Sequence, residues 1–242
     1  LGSEIAKTFA SLGVNLILVD LPGSKIKSIS STLKRKYNIK VSYFYCDFES
    51  GSDRAKLISN LVSLKKLDIL INNAAFTGNS EIDGWNNKFE NQSIEKWRKC
   101  LEINLVSIFE ISRALNPLLK KSKNGTIINI SSIYSEIAPD WSLYKDTEIF
   151  NPAAYGASKA GLNNLTKWLA NTLAPNVRVN SVLPGGIKRN QSKKFIAKYN
   201  AKTPLRRMAN ESDIVGTVIF LSSSMSNYIT GQNIRVDGGF GN

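Results

Sequence analysis

Two hydrophobic rhythms alternate along this chain. Runs rich in β-branched and aliphatic residues at 14–20, 41–46, 67–72, 126–131, 177–183 and 233–236 predict strands. Between them, apolar residues at helical spacing predict helices over 3–12, 24–36, 53–64, 94–119, 154–173 and 211–223. A parallel strand pair needs a crossover long enough to hold a helix, so strand-helix alternation specifies an α/β fold with a doubly wound parallel sheet covered on both faces. Runs such as Leu16-Ile-Leu-Val19 and Ile69-Leu-Ile71 have no polar alternate, as expected of strands buried on both sides. No linker, internal repeat or low-complexity tract interrupts 1–242, which reads as one domain. The polar stretch 185–210 is expected to be a mobile loop.

The opening departs from that scheme. A doubly wound sheet ordinarily begins with a strand and a glycine-rich turn, whereas Leu1-Gly2 leads straight into a helical pattern. The expectation is a sheet without its first strand and most of that turn, with Gly2 as the turn's last glycine. If such a strand is absent from the polypeptide, its neighbours carry unpaired backbone groups, and poor folding without cofactor binding follows.

Composition narrows the chemistry. At 242 residues and 42% hydrophobic, the chain can bury one substantial core. It contains two cysteines, Cys46 and Cys100, and no histidine, which excludes a Ser-His-Asp triad and a Cys/His zinc site; no metal is expected. The net charge is +13, but the basic residues are dispersed without a recognisable nucleic-acid module, so solvated faces are the reading and no nucleic-acid partner is expected. No apolar run reaches bilayer length and no basic-then-apolar leader opens the sequence, so a cytoplasmic protein with no membrane partner is expected.

Chemistry enters with Tyr155 and Lys159, four residues apart at the mouth of a helix. That spacing puts both on one face, where an ammonium can lower the phenol's pKa and make it a general acid near neutral pH. The plain alternative is a packed tyrosine beside a solvated lysine. Asn104 interrupts an apolar stripe of Trp97, Leu101, Ile108, Ile111 and Leu115. A buried amide needs partners, so Asn104 is either a satisfied core residue that bends the helix or the holder of a proton-relaying water. Ser132 directly follows the 126–131 strand at the carboxyl edge, where parallel sheets bind ligands. It serves either as a turn former or as a hydrogen-bond donor to a substrate oxygen.

Taken together, Asn72-Asn-Ala-Ala75, Asn104, Ile130-Ser-Ser132, Tyr155-Gly-Ala-Ser-Lys159, Arg178-Val-Asn-Ser-Val-Leu-Pro-Gly185 and Thr230-Gly-Gln-Asn-Ile-Arg-Val-Asp-Gly-Gly239 resemble the short-chain dehydrogenase/reductase family in order and spacing. The resemblance implies a single Rossmann-type domain and a catalytic set of Asn104, Ser132, Tyr155 and Lys159. Tyr155 would exchange a proton with an alcohol or ketone while hydride moves to or from the nicotinamide. Ser132 would polarise the substrate oxygen, Lys159 would also hold the nicotinamide ribose, and Asn104 would anchor a water. It further implies cofactor contacts from Gly2, Asp47, Asn73, Ala74, Pro184, Gly185 and Ile187, besides Tyr155 and Lys159, and a homodimer or homotetramer joined through 94–119 and 154–173. Asp20, which closes the 14–20 strand, would accept hydrogen bonds from the adenine ribose and repel a 2′-phosphate, favouring NAD(H) over NADP(H); the plain alternative is a turn-forming aspartate before Leu21-Pro22-Gly23. Arg189 stands where the family commonly has threonine.

Between Ser132 and Tyr155 lie 22 residues, a longer interval than the family pattern. The insertion, 136–151, brings Asp140, Trp141, Tyr144, Lys145 and Glu148. Aromatic and charged groups there suit a sugar or polyol, or a cap over a neighbouring subunit. With Pro184-Gly-Gly-Ile187 and Asn190-Gln191, it resembles a bacterial subgroup linked to flagellin and surface-polysaccharide modification, in which nonulosonate-type sugars are made. The expected activity is NAD(H)-dependent interconversion of an alcohol and a ketone on a small-molecule substrate. The alternative is a non-catalytic dinucleotide-binding regulator of the same fold.

Overall fold

The structure is a computed structural model that describes residues 1–77, 82–145 and 150–241. Helix α1 (Gly2–Ser11) leads to strand β1 (Leu16–Asp20), α2 (Ile26–Tyr37), β2 (Val41–Tyr45), α3 (Gly51–Leu61) and β3 (Ile69–Asn72). A long helical stretch follows as α4 (Ile94–Leu101), a π-helical turn (Glu102–Val106) and α5 (Ser107–Leu119). Then come β4 (Gly125–Ile130), α6 (Ala153–Leu173), β5 (Val177–Pro184), α7 (Lys193–Lys202), α8 (Glu211–Ser222) and β6 (Asn233–Val236). All strand pairs are parallel, as the helical crossovers require.

The sheet is divided. β1 pairs with β2, while β3, β4, β5 and β6 form a second group in that order. Packing joins the two groups: Ile17, Val19 and Phe44 from the first meet Leu70 from the second around Leu115 and Leu118 of α5 and Leu57 of α3. On the other face, Leu16, Ile69, Ile71, Ile128 and Val182 share a cluster with Ile5 and Phe9 of α1 and with Ile214, Val215 and Val218 of α8. Among the described residues, no helix is long and apolar enough to cross a membrane.

Local signals explain the helix starts. Ser50, Ser93 and Ser192 each accept the backbone N–H three residues on, and Asn210 with Asp213 forms a reciprocal capping box at α8. The Ser192 cap belongs to α7, which lies in the stretch expected to be a mobile loop; that expectation is wrong over 193–202. Phe195, Ile196 and Tyr199 give α7 an apolar side that packs against Leu143 and Met208, too short a pattern to stand out from the polar residues around it.

Arg54 fixes one side of the fold. It is buried, yet Nε donates to Glu110 at 2.5 Å, Nη1 to the Phe48 carbonyl at 2.5 Å, and Nη2 pairs with Glu102 at 2.6 Å. Burial pulls its pKa down, but the hydrogen bonds and charges of Glu110 and Glu102 outweigh that and leave it raised. The arginine thereby ties α3 and the long helical stretch to the segment just after β2.

Candidate active site

The carboxyl ends of five strands open onto one cleft of about 860 Å³. Asp20 from β1, Asp47 and Phe48 after β2, Asn73 and Ala74 after β3, Ser131 and Ser132 after β4, and Pro184 and Gly185 from β5 all line it. Tyr155, Lys159 and Ile187 line it too. The structure thus brings together every predicted site residue except two. Gly2 lies just behind the wall: a Cβ placed on it would stand 2.7 Å from Asn73 Nδ2. Asn104 is fully buried beneath the site.

Tyr155 lies in the first turn of α6, and Lys159 one turn on. The N-terminal part of α6 comes close to its neighbours at two glycines. A Cβ on Gly156 would be 3.1 Å from the Tyr134 carbonyl oxygen, and one on Gly161 would be 3.0 Å from Leu105 Cδ2. Both positions therefore favour glycine, and the second lets the π-helical turn pack onto α6. Ser132 caps the short turn after β4, its hydroxyl accepting from Tyr134 N at 3.2 Å.

The expectation that Lys159 acidifies Tyr155 is overturned. Burial pushes the phenol up to about 12, a hydrogen bond with Ser132 pulls it down in part, and the Cys100 thiol adds to the rise. Lys159 Nζ donates to the Ile130 carbonyl at 2.8 Å and lies 5.8 Å from the centre of the Tyr155 ring. The lysine is 1% exposed, and burial lowers its pKa to about 8. The phenol is therefore proton-loaded at neutral pH, and the group that titrates near physiological pH is the ammonium.

Asn104 is a satisfied amide. Its Oδ1 accepts from Phe76 N at 2.7 Å, while Nδ2 donates to the Phe76 carbonyl at 3.1 Å and to Ser158 Oγ at 3.1 Å. Ser158 Oγ in turn donates to the Tyr155 carbonyl at 2.8 Å. The protein alone therefore satisfies the side-chain amide, which accounts for its burial without a water. Asn104 links the cleft-lining segment at Phe76 to the turn of α6 that carries Tyr155, and it does so from a π-helical turn, a distortion often found beside functional sites.

Arg189 and the insertion meet the cleft in different ways. Arg189 lines the cleft but forms an ion pair with Glu211. Of the insertion, Tyr144, Phe150 and Asn151 line the cleft whereas Asp140, Trp141 and Lys145 do not, and Glu148 lies outside the described residues. Sequence reasoning missed Lys99 and Phe76 on the cleft wall, and Tyr134, Phe195, Tyr199 and Met208 in an adjoining chamber. For Phe195 and Tyr199 a signal existed in their spacing of four.

A family model described as "Enoyl-(Acyl carrier protein) reductase" matches residues 1–241. The chain belongs to the short-chain dehydrogenase/reductase family. It is 31% identical over 245 residues to the 3-oxoacyl-(acyl-carrier-protein) reductase FabG of Aquifex aeolicus (strain VF5), covering 99% of this chain and 92% of the relative. It is 34% identical over 195 residues to post-translational flagellin modification protein A of Campylobacter coli, covering 75% and 76%. A short-chain dehydrogenase of Leptospira borgpetersenii with bound NAD+ superimposes with a TM-score of 0.77 at 33% identity, over 94% of this chain and 93% of that one. The RhlG/NADP active-site complex of Pseudomonas aeruginosa shares the fold, with a TM-score of 0.85 at 24% identity over 100% and 92%. The chain is thus an oxidoreductase by family, with a Rossmann-type fold that binds a nicotinamide dinucleotide. The structure fits that group: an exposed carboxylate, Asp20, lines the same cleft as Tyr155 and Lys159, along the carboxyl edge where doubly wound folds bind nucleotides.

Proposed function

We propose that the protein interconverts a secondary alcohol and a ketone with NAD(H), as one unit over 1–242, and that Asn104, Ser132, Tyr155 and Lys159 are the residues that matter to the step. The single observation that carries this reading is the convergence of Ser132, Tyr155 and Lys159 on the cleft, with Ser132 hydrogen-bonded to Tyr155 and Lys159 Nζ 5.8 Å from the centre of the Tyr155 ring. When bound, the nicotinamide donates or accepts the hydride. The Tyr155 hydroxyl gives its proton to the substrate oxygen in reduction and takes it back in oxidation. Ser132 donates a hydrogen bond to the same oxygen and opposes the rise in the phenol's pKa. Lys159 holds a positive charge behind the phenol and offers its remaining N–H groups to a ribose hydroxyl. Asn104 positions the others through Phe76 and Ser158.

Cofactor contacts in this reading come from Gly2, Asp20, Asp47, Asn73, Ala74, Pro184, Gly185 and Ile187, with Asp20 setting the preference for NAD(H). The substrate is a small ring-shaped molecule of the sugar or polyol type, because the insertion brings Tyr144 and Asn151 into the cleft. A cytoplasmic location accords with two free, buried cysteines.

The pH profile tests the assignment of the titrating group. Tyr155, near 12, stays protonated throughout the working range, so it does not limit reduction. Lys159, near 8, loses its charge above that pH. The value of kcat/KM for ketone reduction is therefore flat below about pH 8 and falls above it, since this parameter reports the free enzyme. Lys159→Met removes that limb and lowers the plateau. A profile that rises through pH 8, or a limb that persists in Lys159→Met, would show that another group controls the step.

The chain further assembles as a homodimer or homotetramer through the 94–119 and 154–173 helices. Trp168 of α6 is 53% exposed and meets Phe109 of α5, 37% exposed, edge-on at 6.4 Å; Val106, one helical turn before Phe109, is 43% exposed. Exposed aromatics on neighbouring helices form the kind of patch that a second copy covers in a two-fold arrangement. Trp168→Glu is expected to give a monomer by light scattering after gel filtration. An unchanged mass would move the interface elsewhere.

A further inference from the structure

The cleft has a side chamber that the dinucleotide reading leaves over. It measures about 320 Å³ and adjoins Ser132 and Tyr155. Its other walls include Ile133 and Tyr134 after β4, Tyr144 from the insertion, Phe195 and Tyr199 from α7, and Met208. None of the described residues that line it is Lys, Arg, Asp or Glu.

Apart from Tyr155, its tyrosine hydroxyls are already engaged. The Tyr134 and Tyr144 hydroxyls meet at 3.0 Å, Asn151 Nδ2 donates to Tyr144 at 3.3 Å, and the Tyr199 hydroxyl accepts from Gly186 N at 2.6 Å. Burial pushes the Tyr134 and Tyr199 phenols upward, the latter to about 12, so both stay neutral. Of the four lysines of α7, none lines the chamber: Lys193 and Lys194 are exposed, Lys198 Nζ donates to the Ser142 and Lys145 carbonyls at 3.2 and 2.8 Å, and Lys202 pairs with Asp140 at 2.5 Å. Those bonds clamp α7 onto the insertion and leave its aromatic side facing the chamber. Tyr144 meets Phe195 edge-on at 5.6 Å, and Phe240 stacks on Tyr199 at 4.2 Å and 4°.

From this geometry we infer that the side chamber receives the apolar face of an uncharged ring next to the reacting carbon, and rejects ring substrates that carry a carboxylate or phosphate. The inference rests on the alcohol-ketone reading above and narrows its substrate class to neutral rings, against acidic sugars. An anion entering the chamber would give up its water without meeting a cation, a cost that polar walls alone do not offset. A cavity of about 150 Å³ suffices for benzene, so the chamber has room for one substituted ring or two fused rings.

A matched pair tests it: methyl 4-oxocyclohexanecarboxylate against the free 4-oxocyclohexanecarboxylate anion, with the whole chain and NADH. The ester is expected to exceed the acid in kcat/KM by about 100-fold, the scale at which a pocket discriminates by one group. Phe195→Arg and, separately, Met208→Lys are expected to shrink that ratio below tenfold by supplying a cation. Binding is followed in parallel by saturation-transfer NMR, using the methyl ester and the anion of cyclohexanecarboxylic acid, which cannot be reduced. The ester should give signal and the acid none. Equal or stronger use of the acid in either readout overturns the inference, as does a linear acetoacetyl thioester outpacing the cyclic ester tenfold. If the ester binds selectively but no ketone is reduced, the chamber assignment stands and the oxidoreductase reading of this chain falls.

Discussion

Tyr155→Phe is expected to lower kcat/KM for ketone reduction by about 10³-fold, within the range that a positioned proton donor contributes. In barrier terms this is about 4 kcal/mol. The substitution removes one oxygen and little else. The ring packs among Trp85, Cys100, Ala154, Phe76 and Trp97, and phenylalanine keeps those contacts, so the fold should survive. NADH binding should change by less than about twofold, because most of the proposed cofactor contacts lie on other elements of the cleft. Steady-state kinetics and a fluorescence titration of NADH separate the two effects. A variant retaining a tenth of the activity would show that the proton comes from elsewhere. NADH binding by both proteins, with turnover by neither across a broad ketone panel, would favour the non-catalytic regulator.

The sequence made the architecture legible where hydrophobic period and length agreed. The six strands and the long α6 fall within a few residues of their expected bounds, and β6 coincides over Asn233–Val236. It also brought Ser132, Tyr155 and Lys159 to one point, because strand ends and helix starts meet at the carboxyl edge of a parallel sheet. What the sequence hid was environment. Whether Lys159 faces the phenol or the Ile130 carbonyl is a matter of rotamer and burial, and burial turned the expected acidification of Tyr155 into its opposite. The stretch expected as one helix over 94–119 contains a π-helical turn, and its Leu105 packs closely on Gly161, a partner distant in sequence. The side chamber depends on α7 meeting the insertion, a long-range contact made by lysines that read only as scattered charge.

The change with the clearest electrostatic origin concerns the cofactor. Asp20→Asn is expected to raise kcat/KM with NADPH by about 30-fold. Asp20 ends β1 on the cleft, exposed, with Oδ1 accepting from Leu21 N at 2.8 Å. Among the described residues Oδ2 accepts no protein hydrogen bond, which leaves it for ribose hydroxyls. The same carboxylate opposes a 2′-phosphate. At about 4 Å in a water-like medium each pair of unit charges costs about 1 kcal/mol, so a phosphate of nearly two charges loses about 2 kcal/mol, or about 30-fold. Asparagine removes that repulsion and keeps a group able to bond the ribose, so NADH should lose less than tenfold. Salt separates charge from shape: the wild-type preference for NADH should narrow as ionic strength rises, because exposed charges are screened, and the Asn variant should show no such trend. A wild-type enzyme that prefers NADPH, or a preference indifferent to both salt and this substitution, would place cofactor selection outside the β1 carboxylate.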